Sequence, residues 1–442
     1  MVSGTNNKLK TVWICHFSNA DIRSHLPLSN RKFINIIAKI RGRKPLEYFD
    51  FAPWVTNQIN EFKNFNDVEL HIISPMKGLK KYTCEFNLEG INYHFFKADL
   101  PLIHIDVPNA LYFNRKPNFK LNRYFISKFI DSIKPTIVNL IGAENPYYSI
   151  SVLDIKNIPV YVSAQTVYNN PLRDSYSDSL VPHIRDVEMS IFKKMRYFGC
   201  SGRMHHDLIL KYQPQAILFK NLYSIEKPEL LEHLPKKFDF VFFAGVAKKK
   251  GIEDLLEAFA LVLKKKPKST LNIIGRCSTT YKVLLDDKIK LLGLSENIVF
   301  DTFFPVHSDM YKRVTESRIA VLPVKLDVVP GSIIEAILLD IPVVTYKTSG
   351  TPYLNSEGES ILISEIGDID GLAKSMLFLL NNPEYALDIS SRAKKFIEKT
   401  YDNTTNAKIL LENYKAVINH YFYNTPIPEN LIFNLNEFPI YQ

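Results

Sequence analysis

Short apolar runs alternate with stretches of helical spacing along the 442-residue chain, and this restricts the fold more than any other feature. Val12–Phe17, Val68–Ser74, Ile137–Ile141, Val160–Ala164 and Tyr197–Ser201 read as strands, with Ile91–Phe96 as an outer one. Arg31–Ile40, Leu121–Ile133 and Val181–Lys194 carry helical spacing between them. The pattern repeats with strands at Phe238–Phe243, Leu271–Ile274, Ile298–Phe300, Ile319–Leu322 and Pro342–Thr345. A helix after the first of these places Ile252, Leu255, Leu256, Phe259 and Leu263 on one face. Such alternation predicts an α/β fold, a mostly parallel sheet with helices on both faces. Ligands on such sheets gather at the carboxyl ends of the strands, so the loops there are the places to look.

Single cores stop growing near about 250–300 residues, so this length predicts two domains. Ser224–Lys237, with Pro228, Pro235 and mixed charge, reads as the linker. No run of about 18 apolar residues occurs, which argues against a membrane span. Thr11–Cys15 is short and reads as a strand rather than the core of a signal peptide. Cys15, Cys84, Cys200 and Cys277 are scattered without metal-type spacing, as expected of buried free thiols in a reducing cytosol. The net charge of +9 suits a phosphorylated donor, a polyanionic acceptor or an anionic membrane surface, and equally a merely soluble lysine-rich chain. Nothing in the spread of lysines points to nucleic acid.

The loops carry the chemistry. Asp327-Val-Val-Pro330-Gly331-Ser332-Ile-Ile-Glu335 lies between two predicted strands, and Ser332 is a natural cap for a helix bearing Ile333, Ile334, Ala336 and Ile337. A helix start binds phosphate through its free N–H groups and its dipole. The two flanking carboxylates, eight residues apart, suit hydroxyl groups better than phosphate. Gly245 opens a turn that holds Lys248, Lys249 and Lys250 and ends at Gly251, a place for a diphosphate or a solvated basic turn. Leu271–Ile274 stops at Gly275-Arg276, and Gly350-Thr351-Pro352 forms a tight turn after Thr345. In the first half, Glu144 and Asn145 follow one strand, Gln165 another, and Arg203 opens a helix after a third. His16 reads as a substrate contact or as a strand-end histidine bonded to backbone. The loop after the first strand lacks G-x-G-x-x-G, which argues against a dinucleotide enzyme. Asp368-Ile-Asp370 reads as a helix start with Asp370 as cap, not as a metal motif. The polar, aromatic stretch Asn109–Lys120 reads as a loop.

Asp327…Glu335 resembles the E-x7-E motif of retaining glycosyltransferases of family four, the type that assembles bacterial polysaccharides, with Asp327 in place of the first Glu. Lys250-Gly251, Ile274-Gly275, Pro342-Val-Val and Gly350-Thr-Pro352 follow the family's order. The resemblance implies a GT-B fold, two Rossmann-like domains facing across a cleft. It implies an acceptor-binding domain over 1–222, a nucleotide-sugar-binding domain over 223–402, and a helix within 403–442 returning to the first. The implied activity is metal-independent and cofactor-free transfer of a sugar from a nucleoside-diphosphate sugar to a saccharide or lipid-linked saccharide, with retention. The protein would be cytoplasmic, with peripheral contact at the inner face of the membrane. On the donor side, Lys250 and Lys248 would hold the diphosphate with the amides of Gly331 and Ser332. Asp327 would hold sugar hydroxyls and Glu335 the ribose, with Gly245, Gly275, Arg276, Gly350 and Thr351 nearby. On the acceptor side stand His16, Glu144, Asn145, Gln165 and Arg203. The chain departs from the pattern at Asp327, at Gln165 where many relatives have histidine, and in lacking a clear arginine beside Lys250. A sugar-nucleotide 2-epimerase of the same fold and a non-catalytic saccharide binder remain the alternatives.

Overall fold

The structure, a computed structural model, describes residues 8–30, 35–36, 39–40, 48–98, 118–176, 181–228, 234–301, 304, 306–327 and 329–437. Most of the helix expected at Arg31–Ile40 and residues 109–117 of the loop expected at Asn109–Lys120 lie outside them, as do Phe303 and Pro305 and parts of the linker and tail; Lys120 itself opens a helix. The chain divides into two compact units. The first takes in the residues up to Ser201, His205–Ile225 and Asn403–Phe433; the second is built on Glu226–Asp402, with Gly202–Met204 and the residues after Phe433.

The first unit holds an eight-stranded sheet: β1 (Leu9–Ile14), β2 (Val68–Met76), β3 (Thr83–Leu88), β4 (Ile91–Lys97), β5 (Ile137–Ile141), β6 (Val160–Ser163), β7 (Tyr197–Cys200) and β8 (Ile217–Lys220). Their order is β3-β4-β2-β1-β5-β6-β7-β8, parallel throughout except for β3 against β4. Ile91–Lys97 is therefore an inner strand, and the edge belongs to Thr83–Leu88, whose half-exposed residues gave no apolar run to read. β1, β5, β6 and β7 are buried along most or all of their length, as parallel strands covered on both faces must be.

The closing helix Asn403–Tyr423 belongs to this unit. Leu410, Tyr414 and Val417 join Trp13, Phe62 and Tyr161 in one core. Two hydrogen bonds cross that core: Asn139 donates to the Tyr414 hydroxyl at 2.6 Å, and Asn413 donates to the Lys220 carbonyl at 3.1 Å. The chain leaves the unit at Ile225 and re-enters at Asn403, whose amide side chain bonds both N–H and carbonyl of Ile225 at 2.9 Å. Beyond the helix, Ile432 bridges Phe219 and Phe433 donates to the Leu218 carbonyl. The tail thus covers part of the β8 edge, which would otherwise leave strand groups unpaired.

The second unit is a six-stranded, wholly parallel sheet of order β11-β10-β9-β12-β13-β14. Its strands are β9 (Phe238–Phe243), β10 (Leu271–Ile274), β11 (Ile298–Asp301), β12 (Ser317–Leu322), β13 (Val343–Tyr346) and β14 (Leu362–Ser364). Helices Ile252–Lys265, Thr279–Leu291, His307–Thr315 and Gly331–Leu338 connect β9 to β13, a short 3-10 turn at Thr351–Asn355 leads to β14, and Ile369–Asn381 follows it. Two helix caps differ from expectation. Pro330, not Ser332, sits at the cap of Gly331–Leu338, and no side chain caps it. Asp368, not Asp370, caps Ile369–Asn381 by accepting from the Gly371 N–H at 2.8 Å. Of the four free cysteines, Cys15 and Cys200 are buried as expected, whereas Cys84 and Cys277 are half-exposed.

Because Tyr414 fills the first unit's core and pairs with Asn139, its truncation has two separable costs. Tyr414→Phe keeps the volume and should lose about 1–2 kcal/mol. Tyr414→Ala adds a cavity and should lose about 3–5 kcal/mol, both read by denaturant melts of the full chain.

Candidate functional site

In the second unit the chain runs outward from β9 through β10 to β11, then returns to place β12 on the other side of β9. Adjacent loops part at such a reversal, and ligands of open α/β sheets bind there, at the carboxyl ends. The loops after β9 and β12 are those bearing Lys248–Lys250 and Asp327.

Glycines bring these loops close. A Cβ on Gly251, at φ +77°, would lie 1.9 Å from the Pro323 carbonyl oxygen. A Cβ on Gly275, at φ +154°, would lie 1.9 Å from that of Ala244. Backbone bonds then cross between loops: the Lys325 N–H donates to the Lys249 carbonyl at 3.0 Å, and Val246 to Arg276 at 2.9 Å. A buried polar network braces the same junction. The Lys325 ammonium sits 2.5 Å from Asp254, whose other oxygen accepts from the Tyr346 hydroxyl at 2.9 Å.

On this frame the Lys250 ammonium lies 2.7 Å from the Asp327 carboxylate, both side chains partly exposed. Lys248 is exposed, as are Gly245, Arg276 and Gly331. Four residues after Asp327 comes the uncapped start of Gly331–Leu338, so the leading N–H groups at Gly331 and Ser332 have no side chain answering them. Ser332, expected to cap this helix, instead lies within its first turn.

Glu335 is one turn along. Its carboxyl reaches back so that one oxygen is 3.8 Å from where a Gly331 Cβ would be. Burial pushes it up to about 7, helped by Glu226 and opposed by His307. Gly350 and Thr351 are buried. The Thr351 hydroxyl donates to the Tyr346 carbonyl and accepts from the Thr348 N–H, so it builds its turn and does not offer itself to a donor.

The first unit has its own reversal, between β1 and β5. The loops there carry His16 and Glu144. The His16 ring shares a hydrogen bond with the Tyr147 hydroxyl, and burial, then Lys77, holds it down at about 3, so it is neutral. Glu144 folds over Gly142, and burial raises its carboxyl to about 8. One of its oxygens is buried without a partner among the described residues. Asn145 is committed to the Tyr148 hydroxyl at 3.0 Å. The Gln165 carbonyl accepts from His205, a buried histidine held down at about 4. Glu188 accepts from the N–H groups of Tyr168 and Asn169, fixing the turn beyond Gln165. Arg203 opens helix Arg203–Tyr212, with its Nε buried and unpaired among the described residues.

Sequence reasoning passed over Asp254, Lys325, Tyr346, Glu188 and His205. Their partners are remote in sequence, and a polar residue such as Asp254 or Glu188 on an amphipathic helix looks the same whether solvated or buried.

Residues 226–396 match the family Glycosyl transferases group 1. The group 1 match thus covers nearly all of the second unit. The capsular polysaccharide biosynthesis glycosyltransferase CapM of Staphylococcus aureus is 24% identical over 201 residues, which is 45% of this chain and 51% of CapM. The chain spans about half the length, or less, of the curated relatives it matches. Sucrose-phosphate synthase from Thermosynechococcus elongatus is similar in structure, with a TM-score of 0.65 at 12% identity, over 92% of this chain and 98% of that one. HepE of Anabaena, solved in complex with UDP, has a TM-score of 0.62 at 14% identity, over 92% and 99%. These likenesses show the fold, the pair of Rossmann-like units of GT-B glycosyltransferases.

Two outcomes follow for the second unit. Gly251→Ala forces both a strained φ and a backbone clash, so it should destabilise by more than about 1 kcal/mol in thermal melts. Glu335 titrates near 7 in the fold against an ordinary 4.5, so its ionisation weakens the fold as pH rises from 4.5 through 7. Glu335→Gln should therefore stabilise the empty protein above pH 7, by on the order of 1–3 kcal/mol, and change little below pH 4.5.

Proposed function

We propose that the chain is a retaining, metal-independent glycosyltransferase that moves a sugar from a nucleoside-diphosphate sugar to a saccharide or lipid-linked saccharide. The observation that carries this is the Lys250–Asp327 ion pair, which ties a cationic turn to an acid beside an uncapped helix start. That arrangement offers positive charge to a diphosphate and a carboxylate to hydroxyls within one side chain's reach. The match of residues 226–396 to Glycosyl transferases group 1 supports the same reading.

In this reading the second unit holds the donor. Lys250 and Lys248, with the Gly331 and Ser332 amides, stabilise the charge that develops on the leaving diphosphate. Asp327, released from Lys250 as phosphate takes up the ammonium, accepts from donor-sugar hydroxyls. Glu335 accepts from the ribose. The acceptor, bound by the first unit near His16, Glu144 and Gln165, attacks the anomeric carbon on the face the diphosphate leaves. The carbon–oxygen bond to phosphate breaks as the bond to the acceptor oxygen forms. The acceptor's proton passes to the departing phosphate oxygen, so no enzyme nucleophile is needed. Burial disfavours the charged forms of both His16 and Glu144, which suits them to the hydroxyls of a saccharide. The reading places the protein in the cytoplasm, with peripheral contact at the inner face of the membrane. Separately, no described helix is long and apolar enough to cross a membrane.

A thermal-shift screen of UDP-, GDP- and ADP-sugars should find a donor that raises the melting point, since a ligand binding only the native state stabilises it. Release of nucleotide from that donor should require an acceptor, which separates transfer from epimerisation and from simple binding. The new linkage should keep the donor's anomeric configuration by NMR, and EDTA should leave the rate unchanged. Lys250→Ala and Asp327→Ala should each lower kcat about a hundredfold or more. Full turnover by either variant would sink the assignment of the site.

A further inference from the structure

We propose that His71 and His94 share one proton: the chain Glu69–His71–His94–Glu85 is complete only when the two rings together carry a single positive charge, and in that state it pins the outer strands β3 and β4 to β2. The inference does not rest on the glycosyltransferase reading, and its failure would leave that reading untouched.

The four residues share one face of the first unit's sheet. Glu69 and His71 alternate with a residue of the other face on β2, and Glu85 on β3 stands directly opposite His94 on β4. Three contacts at hydrogen-bond distance join them in a row. His71 Nε2 lies 2.8 Å from Glu69, His71 Nδ1 lies 2.9 Å from His94 Nε2, and His94 Nδ1 lies 2.7 Å from Glu85. The ring centres are 5.2 Å apart and the planes 20° apart, which suits an in-line N–H···N bond between nearly coplanar rings. Both histidines are buried.

Each of these bonds needs one hydrogen, and ionised carboxylates bring none. Burial raises Glu69, but its bonds to His71 and Lys10 outweigh that and leave it below the usual carboxylate value. The Glu85 side chain is 55% exposed and hydrated. Two neutral imidazoles carry two hydrogens, one too few for three bonds. With each ring donating to its own carboxylate, two lone pairs would face each other across 2.9 Å. Two imidazolium rings carry four hydrogens and would set N–H against N–H at the same place. One shared charge fits. The groups around the pair limit that state. Burial, foremost, lowers both rings; Glu69 and Glu85 offset it on their own partners, while Lys10 opposes charge on His71 and His71 opposes it on His94. Helix Lys120–Ile133 packs on β2 and β4 and lays Phe129 against His94, and none of its buried residues is titratable.

The test follows the ring nitrogens of the full chain, made with 15N-labelled histidine, by NMR from alkaline to acid pH. The pair should take up its two protons in steps more than about two pH units apart, where independent sites would titrate together. The second step should fall below the ordinary histidine value of 6.5. Between the steps, three of the four ring nitrogens should carry hydrogen. Glu85→Gln, an exposed and conservative change, removes one anion and should move the first step about half a pH unit or more toward acid. His94→Phe leaves His71 bonded to Glu69 by its own single hydrogen. Wild type should therefore gain most in melting point over this variant between the two steps, and less on either side. Two histidines titrating independently, a first step unmoved by Glu85→Gln, or a melting difference that does not vary with pH would each overturn the proposal. If His94→Phe does not fold, the wild-type and Glu85→Gln titrations decide the matter.

Discussion

Lys250 meets Asp327 only because two backbones touch. Each residue sits on a loop after a different strand, and those loops would part at the reversal of strand order if nothing drew them together. Gly251 lets the turn after β9 press against the Pro323 carbonyl at the end of β12. The Lys325 N–H then bonds across to Lys249, and the Lys325 ammonium reaches Asp254, itself held by Tyr346. The paired charges are partly exposed and contribute little to stability by themselves. Their worth lies in position, which the buried network beneath them sets.

Three groups of the same unit lack the partners that a fold built for stability alone would give them. The helix start at Gly331 lacks a capping side chain, the Glu335 carboxyl is raised by burial, and the Tyr311 hydroxyl has no partner among the described residues. Around the first unit's reversal, Glu144 and His16 are likewise buried in their uncharged forms. A fold selected only for stability would replace such groups with apolar ones or pair them. Glu335, Glu144 and His16 stand near the carboxyl ends of their sheets, where ligands of such folds bind.

Much of this was legible residue by residue. β9, β10 and β12 announce themselves as apolar runs because parallel strands are buried on both faces. Lys250-Gly251 and Asp327…Glu335 stand at their ends in an order that resembles family four. Other elements were not legible. β3 is half-exposed and β8 is only four residues long, so both exist through pairing with neighbours rather than through their own pattern. Ser332 looks like a cap beside Pro330-Gly331, yet the helix begins one residue before it and needs that serine inside its first turn. Thr351 looks available in a Gly-Thr-Pro turn, yet Tyr346 and Thr348 use its hydroxyl. Local chemistry permits both outcomes in each case, and packing chose.

The sequence by itself determined the fold class, two α/β halves, and the loops where chemistry belongs, because burial periodicity and glycine, proline and charge at strand ends are local properties. Tertiary structure decided which of those loops meet, which carboxyls lose their charge, and that residues 403–433 complete the first unit after the chain has built the second. Those outcomes depend on contacts between residues far apart in the chain, 275 positions in the case of Asn139 and Tyr414, and on desolvation by surroundings that no stretch of sequence contains.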